Sequence, residues 1–121
     1  MINDLEIIKM ASAMARHAAT RHSVIAENIA NADTVNYKAK DLEAFADAYH
    51  RIQNSTGKSA DDAVWRRQHS TVVSAASPNG NTVSLEDQMM RSADAQQNHD
   101  AAITIYKKTI DLMRASLGRG N

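Results

Sequence analysis

Two stretches of this chain place apolar residues at steps of three and four, the period of an amphipathic helix, and they lie at its two ends. In the first, Leu5, Ile8, Ser12, Ala15, Ala19, His22, Ala26 and Ile29 keep this spacing, with no proline or glycine between Asp4 and Asn31. Asn3 can cap the start, Glu6 stands three residues later, and Ile2 and Ile7 occupy staple positions. The pattern predicts a helix from near Asp4 to about Asn31, roughly 40 Å long.

The second stretch is stronger. Leu85, Met89, Ser92, Gln96, His99, Ile103, Tyr106, Ile110, Met113 and Leu117 form an unbroken coiled-coil seam. Ser84 can cap, Asp87 stands three residues on, and Gly118 is placed to end the helix in a left-handed conformation. A helix from about Leu85 to Leu117 follows. Ile105 and Leu112 lie one heptad apart, about 200° round from Ile103 and Ile110, so one partner helix cannot cover both stripes. With little chain left over, other subunits are the natural second neighbour.

Between the helices, Asn31 to Lys40 reads as a turn-rich linker. Asp41 then precedes Leu42, Phe45, Tyr49 and Ile52, spaced for one face of a short helix packed back on the first. The remainder is polar and irregular and predicts a mobile loop or small hairpin. Thr71-Val72-Val73 and Thr82-Val83 are candidate strands joined across Pro78-Asn79-Gly80. The expected fold is all-α: long N-terminal and C-terminal helices paired as a coiled coil, a short second helix, and an irregular central loop or small hairpin. Residues 1–52 and 84–121 then form one unit, with 53–83 as the loop between.

Composition thins the expected core. Apolar residues reach 43% but aromatic ones only 4%, and much of the apolar content is alanine, which buries little area. The first seam is small and polar in its middle, so that helix is marginal in isolation and needs tertiary or intersubunit packing. The residues expected to carry an assembly interface are Leu5, Ile8, Ala15, Ala19, Ile25 and Ile29 on the first helix. On the second they are Leu85, Met89, Ile103, Ile105, Tyr106, Ile110, Leu112, Met113 and Leu117.

Charge narrows the partners. The 14 basic and 14 acidic side chains balance and are scattered, so no field of one sign draws the chain to nucleic acid or anionic membrane. The longest basic clusters, Trp65-Arg66-Arg67 and Lys107-Lys108, are short for a nucleic-acid stripe. There is no cysteine, which excludes disulfides, thiolate catalysis and cysteine-ligated zinc. The first residues carry acids where a signal peptide needs bases, and no apolar run approaches the roughly 20 residues of a membrane span. No direct membrane insertion is expected, and any export is expected to proceed without a cleaved signal.

Catalytic chemistry has no foothold. His17, His22, His50, His69 and His99 show no four-residue helical pair suited to a metal. His22 and His99 fall on predicted seams, where two separate boundary residues are favoured over a facing, pH-tuning pair. Glu86-Asp87 is explained by capping, and Asp61-Asp62 has no pocket-building context. No Gly-x-Ser-x-Gly elbow occurs, and glycines at 57, 80, 118 and 120 make no phosphate loop. No catalytic residue, metal or cofactor is expected. A small helical adaptor is the competing class: it would form a finite complex, whereas a filament subunit would form open polymers.

The junction after the first helix reads Asn28-Ile29-Ala30-Asn31-Ala32-Asp33-Thr34-Val35-Asn36-Tyr37-Lys38-Ala39. It resembles the signature of bacterial flagellar basal-body rod proteins, Asn-Ile-Ala-Asn, a short spacer, then Thr-Pro-Gly-Tyr. Asn28, Ile29, Ala30, Asn31, Thr34 and Tyr37 match it, while Val35 and Asn36 stand where that family has proline and glycine. Asparagine is the next residue most willing to adopt positive φ, so the turn can survive. Asn81 to Met90 and the ending Leu112 to Gly118 are also similar to this family, most closely its proximal-rod B-type member. The resemblance implies a non-enzymatic rod subunit whose terminal helices pair as an inner coiled coil. It also implies stacking with copies of itself and other rod proteins, contact with basal-body ring and export-apparatus proteins, a place across the periplasm, and export through the flagellar type III apparatus.

Overall fold

A computed structural model describes residues 3–54, 68–70 and 76–118. The first helix, α1, spans Asp4–Ala30, and Asn3 caps it by accepting the Glu6 backbone N–H at 2.8 Å on Oδ1. It stops at Asn31, whose side-chain amide donates back to the Glu27 carbonyl at 2.8 Å. Strand β1 (Lys40–Leu42) follows, then helix α2 (Phe45–Asn54), strand β2 (Gln68–Ser70) and the long helix α3 (Leu85–Gly118). Ser84 Oγ accepts the Asp87 N–H at 3.3 Å at the start of α3. Both caps are those the sequence indicates.

Several expectations are corrected. Asp41 and Leu42, read as the start of the short helix, belong to β1, which pairs antiparallel with β2 through Lys40↔Ser70 and Leu42↔Gln68. Asp41 accepts the Leu42 N–H at 2.7 Å and is tied to two arginines described below, so its side chain is committed before a helix can start, and α2 begins at Phe45. Thr82 and Val83 form no strand: Thr82 donates its N–H to Tyr37 O at 3.0 Å and runs into the α3 cap. Gly118 is the last residue of α3 without a positive φ. The candidate strand Thr71-Val72-Val73, the Ile2 staple, and most of the expected loop (55–67 and 71–75) lie outside the described residues.

α1 and α3 pack antiparallel, with Asn28 bonded to Gln88 at one end and Arg21 to Asp94 further along. Their contact is drawn in steps of seven: Ala11, Ala18 and Ile25 on α1, and Gln88, Ala95, Ala102 and Thr109 on α3, all buried. Small residues at heptad spacing let the two backbones approach closely. The larger residues of the two sequence seams sit beside this line or outside it. Adjacent stripes on a helix differ by about 100°, and in an alanine-rich helix several read alike, which is why the pattern alone misplaces the contact.

A second buried stripe of α1, His17, Val24 and Asn28, faces Ala39, Leu42 and Ala48, also buried. His17 Nε2 lies 2.7 Å from the Glu43 carbonyl, and its ring meets Phe45 edge-on at 5.7 Å. This contact ties the start of α2 to α1. Among the described residues no helix is long and apolar enough to cross a membrane.

Candidate functional site

The site is the turn between α1 and β1, clamped by the segment that leads into α3. Inside the turn, Ala32 N–H reaches Ile29 O at 3.1 Å, Thr34 N–H reaches Asn31 O at 3.1 Å, and Thr34 Oγ1 donates to Asn31 Oδ1 at 3.0 Å. Asn36 then takes φ 60°, the one non-glycine residue with positive φ among those described. Its N–H donates to Asn79 O at 2.9 Å. Val35 and Asn36 thus build the turn without the proline and glycine of the signature, because a short amide side chain tolerates the left-handed region.

The approach to α3 locks onto this turn. Gly80 has φ 84°, which favours glycine, and a Cβ there would stand 2.2 Å from Asn36 Oδ1 and displace that side chain. Buried Asn81 donates its amide to Asn31 O at 2.8 Å and Thr34 O at 2.7 Å. Its Oδ1 accepts the Val83 N–H at 2.8 Å. Thr82 Oγ1 accepts the Ala39 N–H at 2.9 Å.

Asn28 is the hub. It is 0% exposed, as is Gln88. Its amide donates to Lys40 O at 2.7 Å and Gln88 Oε1 at 3.0 Å, while its Oδ1 accepts Tyr37 Oη and Lys40 N–H, each at 3.0 Å. Every hydrogen-bonding position of this side chain is used, and four chain segments meet on it. Each of these groups left without a partner costs about 1–3 kcal/mol when buried. Burial, reinforced by the Glu27 charge and opposed by Lys40, raises the Tyr37 phenol above its ordinary pKa.

Beside the hub sits an ionic cluster. Asp41, with its side chain 5% exposed, accepts from Arg21 Nε at 3.1 Å and from Arg91. Arg21 also reaches Asp94 at 2.6 Å, and Arg91 reaches Asp87 at 2.7 Å. α1, β1 and α3 are therefore pinned together by one carboxylate. Burial alone would raise the Asp41 carboxyl, but hydrogen bonds from Arg21, the Leu42 N–H and Arg91, with the Arg21 charge, hold it below its ordinary value.

The expected assembly residues divide. Leu5, Ile29, Leu85, Met89, Tyr106, Leu112 and Leu117 are exposed, as is Ala19. Ile8, Ala15, Ile103, Ile105, Ile110 and Met113 are partly buried, and Ile25 lies inside the α1–α3 contact. Tyr106, Lys107, Ile110, Asp111 and Arg114 line a shallow groove of about 270 Å³. The register places His99 about a turn and a half beyond the level of His22 along α3. His22 keeps a buried Nε2 without a hydrogen-bond partner among the described residues. Of the signature residues, the structure brings together Asn28, Asn31, Thr34 and Tyr37. Gln88, Asn81, Asp41, Arg21 and Arg91 complete the site and were not among the residues expected to form it; Asn81 and Gln88 fall in the stretch that resembles the family.

Residues 10–38, which cover most of α1 and the clamped turn, match the family model described as flagella basal body rod protein. This match supports the flagellar basal body rod protein family for the chain. The match ends just after Tyr37 and so includes every signature residue of the site. No curated protein matches the chain. The match supports a component of the flagellar basal-body rod, and that family is a structural one. The described geometry accordingly builds a rigid joint: its polar groups are consumed by one another.

Proposed function

We propose that this chain is a proximal-rod subunit of the B-type that polymerises helically through α1 and α3. The observation that carries the reading is the placement of its large apolar residues. Leu5, Leu85, Met89, Leu112 and Leu117 stand on long helices yet outside the contact those helices make with each other. Burying such side chains is worth about 1.5–3 kcal/mol each, so they favour further subunits. The wording of Asn81 to Met90, which here forms the clamp on the turn, and of Leu112 to Gly118 supports the B-type. Partners in this reading are copies of the chain, other rod proteins, and basal-body ring and export-apparatus proteins. In this reading the chain crosses the periplasm within the rod. Residues 1–52 and 84–121 act as one unit, with 53–83 as the loop between.

Labelling the chain in purified basal bodies tests the assignment: the label is expected in the rod at its inner end, and a label elsewhere overturns it. Ile110→Asp introduces a charge beside the groove and is expected to abolish swimming while the protein is still made and folded. Normal motility in that strain counts against the interface.

A further inference from the structure

The sequence contains a single Asn-Gly step, Asn79-Gly80, and it falls in the segment that clamps the signature turn. Asparagine before glycine is a reactive pair, because the next backbone nitrogen lies within ring-closing reach of the side-chain amide carbon and glycine puts no Cβ in its way. Asn79 is exposed, so water reaches it.

The closed clamp holds the groups that this chemistry uses. Gly80 N–H, the nucleophile, donates to Ser77 O at 2.7 Å. Asn79 Oδ1 accepts the Asn81 N–H at 3.1 Å, and Asn79 O accepts the Asn36 N–H at 2.9 Å. Gly80 O accepts from Lys38 Nζ at 2.7 Å. Closing a ring moves Asn79 Cγ onto the Gly80 nitrogen and carries both Asn79 carbonyl groups with it, so these hydrogen bonds oppose it. Loss of the Gly80 proton would also leave a nitrogen lone pair against the Ser77 carbonyl.

We propose that Asn79 is a modification site gated by the clamp: its side-chain amide is lost when the segment leaves the turn and is kept while the clamp is closed. Water or hydroxide takes the Gly80 N–H proton, the nitrogen bonds to Asn79 Cγ, and the Cγ–Nδ2 bond breaks as ammonia leaves. No electron is transferred. Water then opens the cyclic imide on either side. Breaking the new Cγ–N bond gives aspartate at position 79. Breaking the original peptide bond gives isoaspartate, whose main chain runs through Cβ and Cγ and is one atom longer.

The isoaspartyl chain cannot restore the clamp. The carbonyl that accepts the Asn36 N–H becomes part of a free carboxylate outside the main chain. Gly80, at φ 84°, and Asn81, which reaches Asn31 O and Thr34 O, are displaced by the extra atom. A chain that stays unclamped is thereby marked irreversibly, while a clamped one is spared. This chemistry is independent of the chain's place in a rod.

Incubation of the purified full chain in heavy-oxygen water at mildly alkaline pH, folded and in urea, tests this. Peptide mass spectrometry reads the label that enters at position 79 when water opens the imide. Labelling is expected to be about tenfold or more slower in the folded chain than in urea. Thr82→Val, which loses the acceptor of the Ala39 N–H, and Asn81→Ala loosen the clamp. Each is expected to label faster than wild type in native buffer, relative to its own rate in urea. The purified isoaspartyl chain is expected to unfold at lower urea than Asn79→Asp, which carries the same charge without the extra atom. If circular dichroism shows Asn81→Ala unfolded, Thr82→Val, which keeps the side-chain shape, carries the comparison. Equal rates for wild type folded and in urea overturn the proposal. So does a folded clamp variant no faster than wild type, or an isoaspartyl chain as stable as Asn79→Asp.

Discussion

A single carboxylate joins three elements here, and its titration has a direct consequence. Asp41 is held below its ordinary pKa by Arg21, Arg91 and the Leu42 N–H, with Asp87 and Asp94 sharing the two arginines. A depressed carboxylate stabilises fully above its unfolded value, near about 3.9, and that contribution is lost as pH falls through the lower, folded value. Asp41→Asn is expected to cost about 2–4 kcal/mol at pH 7, toward the lower part of the range for breaking a buried pair because both arginines keep another acid. The gap between wild type and variant, followed by urea unfolding, is expected to stay constant down to about pH 5. It then narrows below about pH 4. A gap that does not change with pH refutes this role for Asp41.

At the scale of the element, the decisive choice is which stripe of each helix turns inward. Met89 and Ile103 belong to the stripe that looks more hydrophobic, but Ala95 and Ala102, both 0% exposed, form the contact. Small side chains win because two long helices that meet on alanine gain close packing along much of their length. Ala102→Leu is expected to destabilise the chain by about 1–3 kcal/mol through overpacking. Met89→Ala, at an exposed position, is expected to change monomer stability by about 0.5 kcal/mol or less. Urea titrations of the two variants check the order; a larger loss for Met89→Ala returns the contact to the sequence seam. The two polar anchors, Asn28–Gln88 and the Asp41 cluster, both sit toward the signature end. They select one register from an alanine stripe that would otherwise accept shifts of a heptad.

For the whole molecule, these anchors grade stability along the helix pair. The signature end joins α1, the turn, β1 and α3 through satisfied buried polar groups, whereas among the described residues the last turns of α3 run past the start of α1. Hydrogen exchange in dilute protein is expected to be slowest near Val24 to Asn28 and Gln88 to Ala95, and fastest from Leu112 to Gly118. On assembly the last of these is expected to become protected. Uniform protection of both long helices in the dilute state contradicts the grading.

What the amino-acid order determines by itself is local. The helix starts at Asn3 and Ser84, the long uninterrupted spans behind them, and the positive φ of Asn36 follow from side-chain reach and backbone sterics within a few residues. The signature residues Asn28, Asn31, Thr34 and Tyr37 are likewise legible as a motif, and so the family was. Tertiary structure decided the rest. Gln88 and Asn81 reach across 60 and 50 residues of chain to fill the hydrogen bonds of that motif, and Asp41, read at the start of the short helix, lies in a strand between two arginines. The inward stripe was decided there too. A periodic pattern records which residues share a face, but the identity of the buried face depends on how closely the opposing backbone comes, and that distance is a property of two helices together.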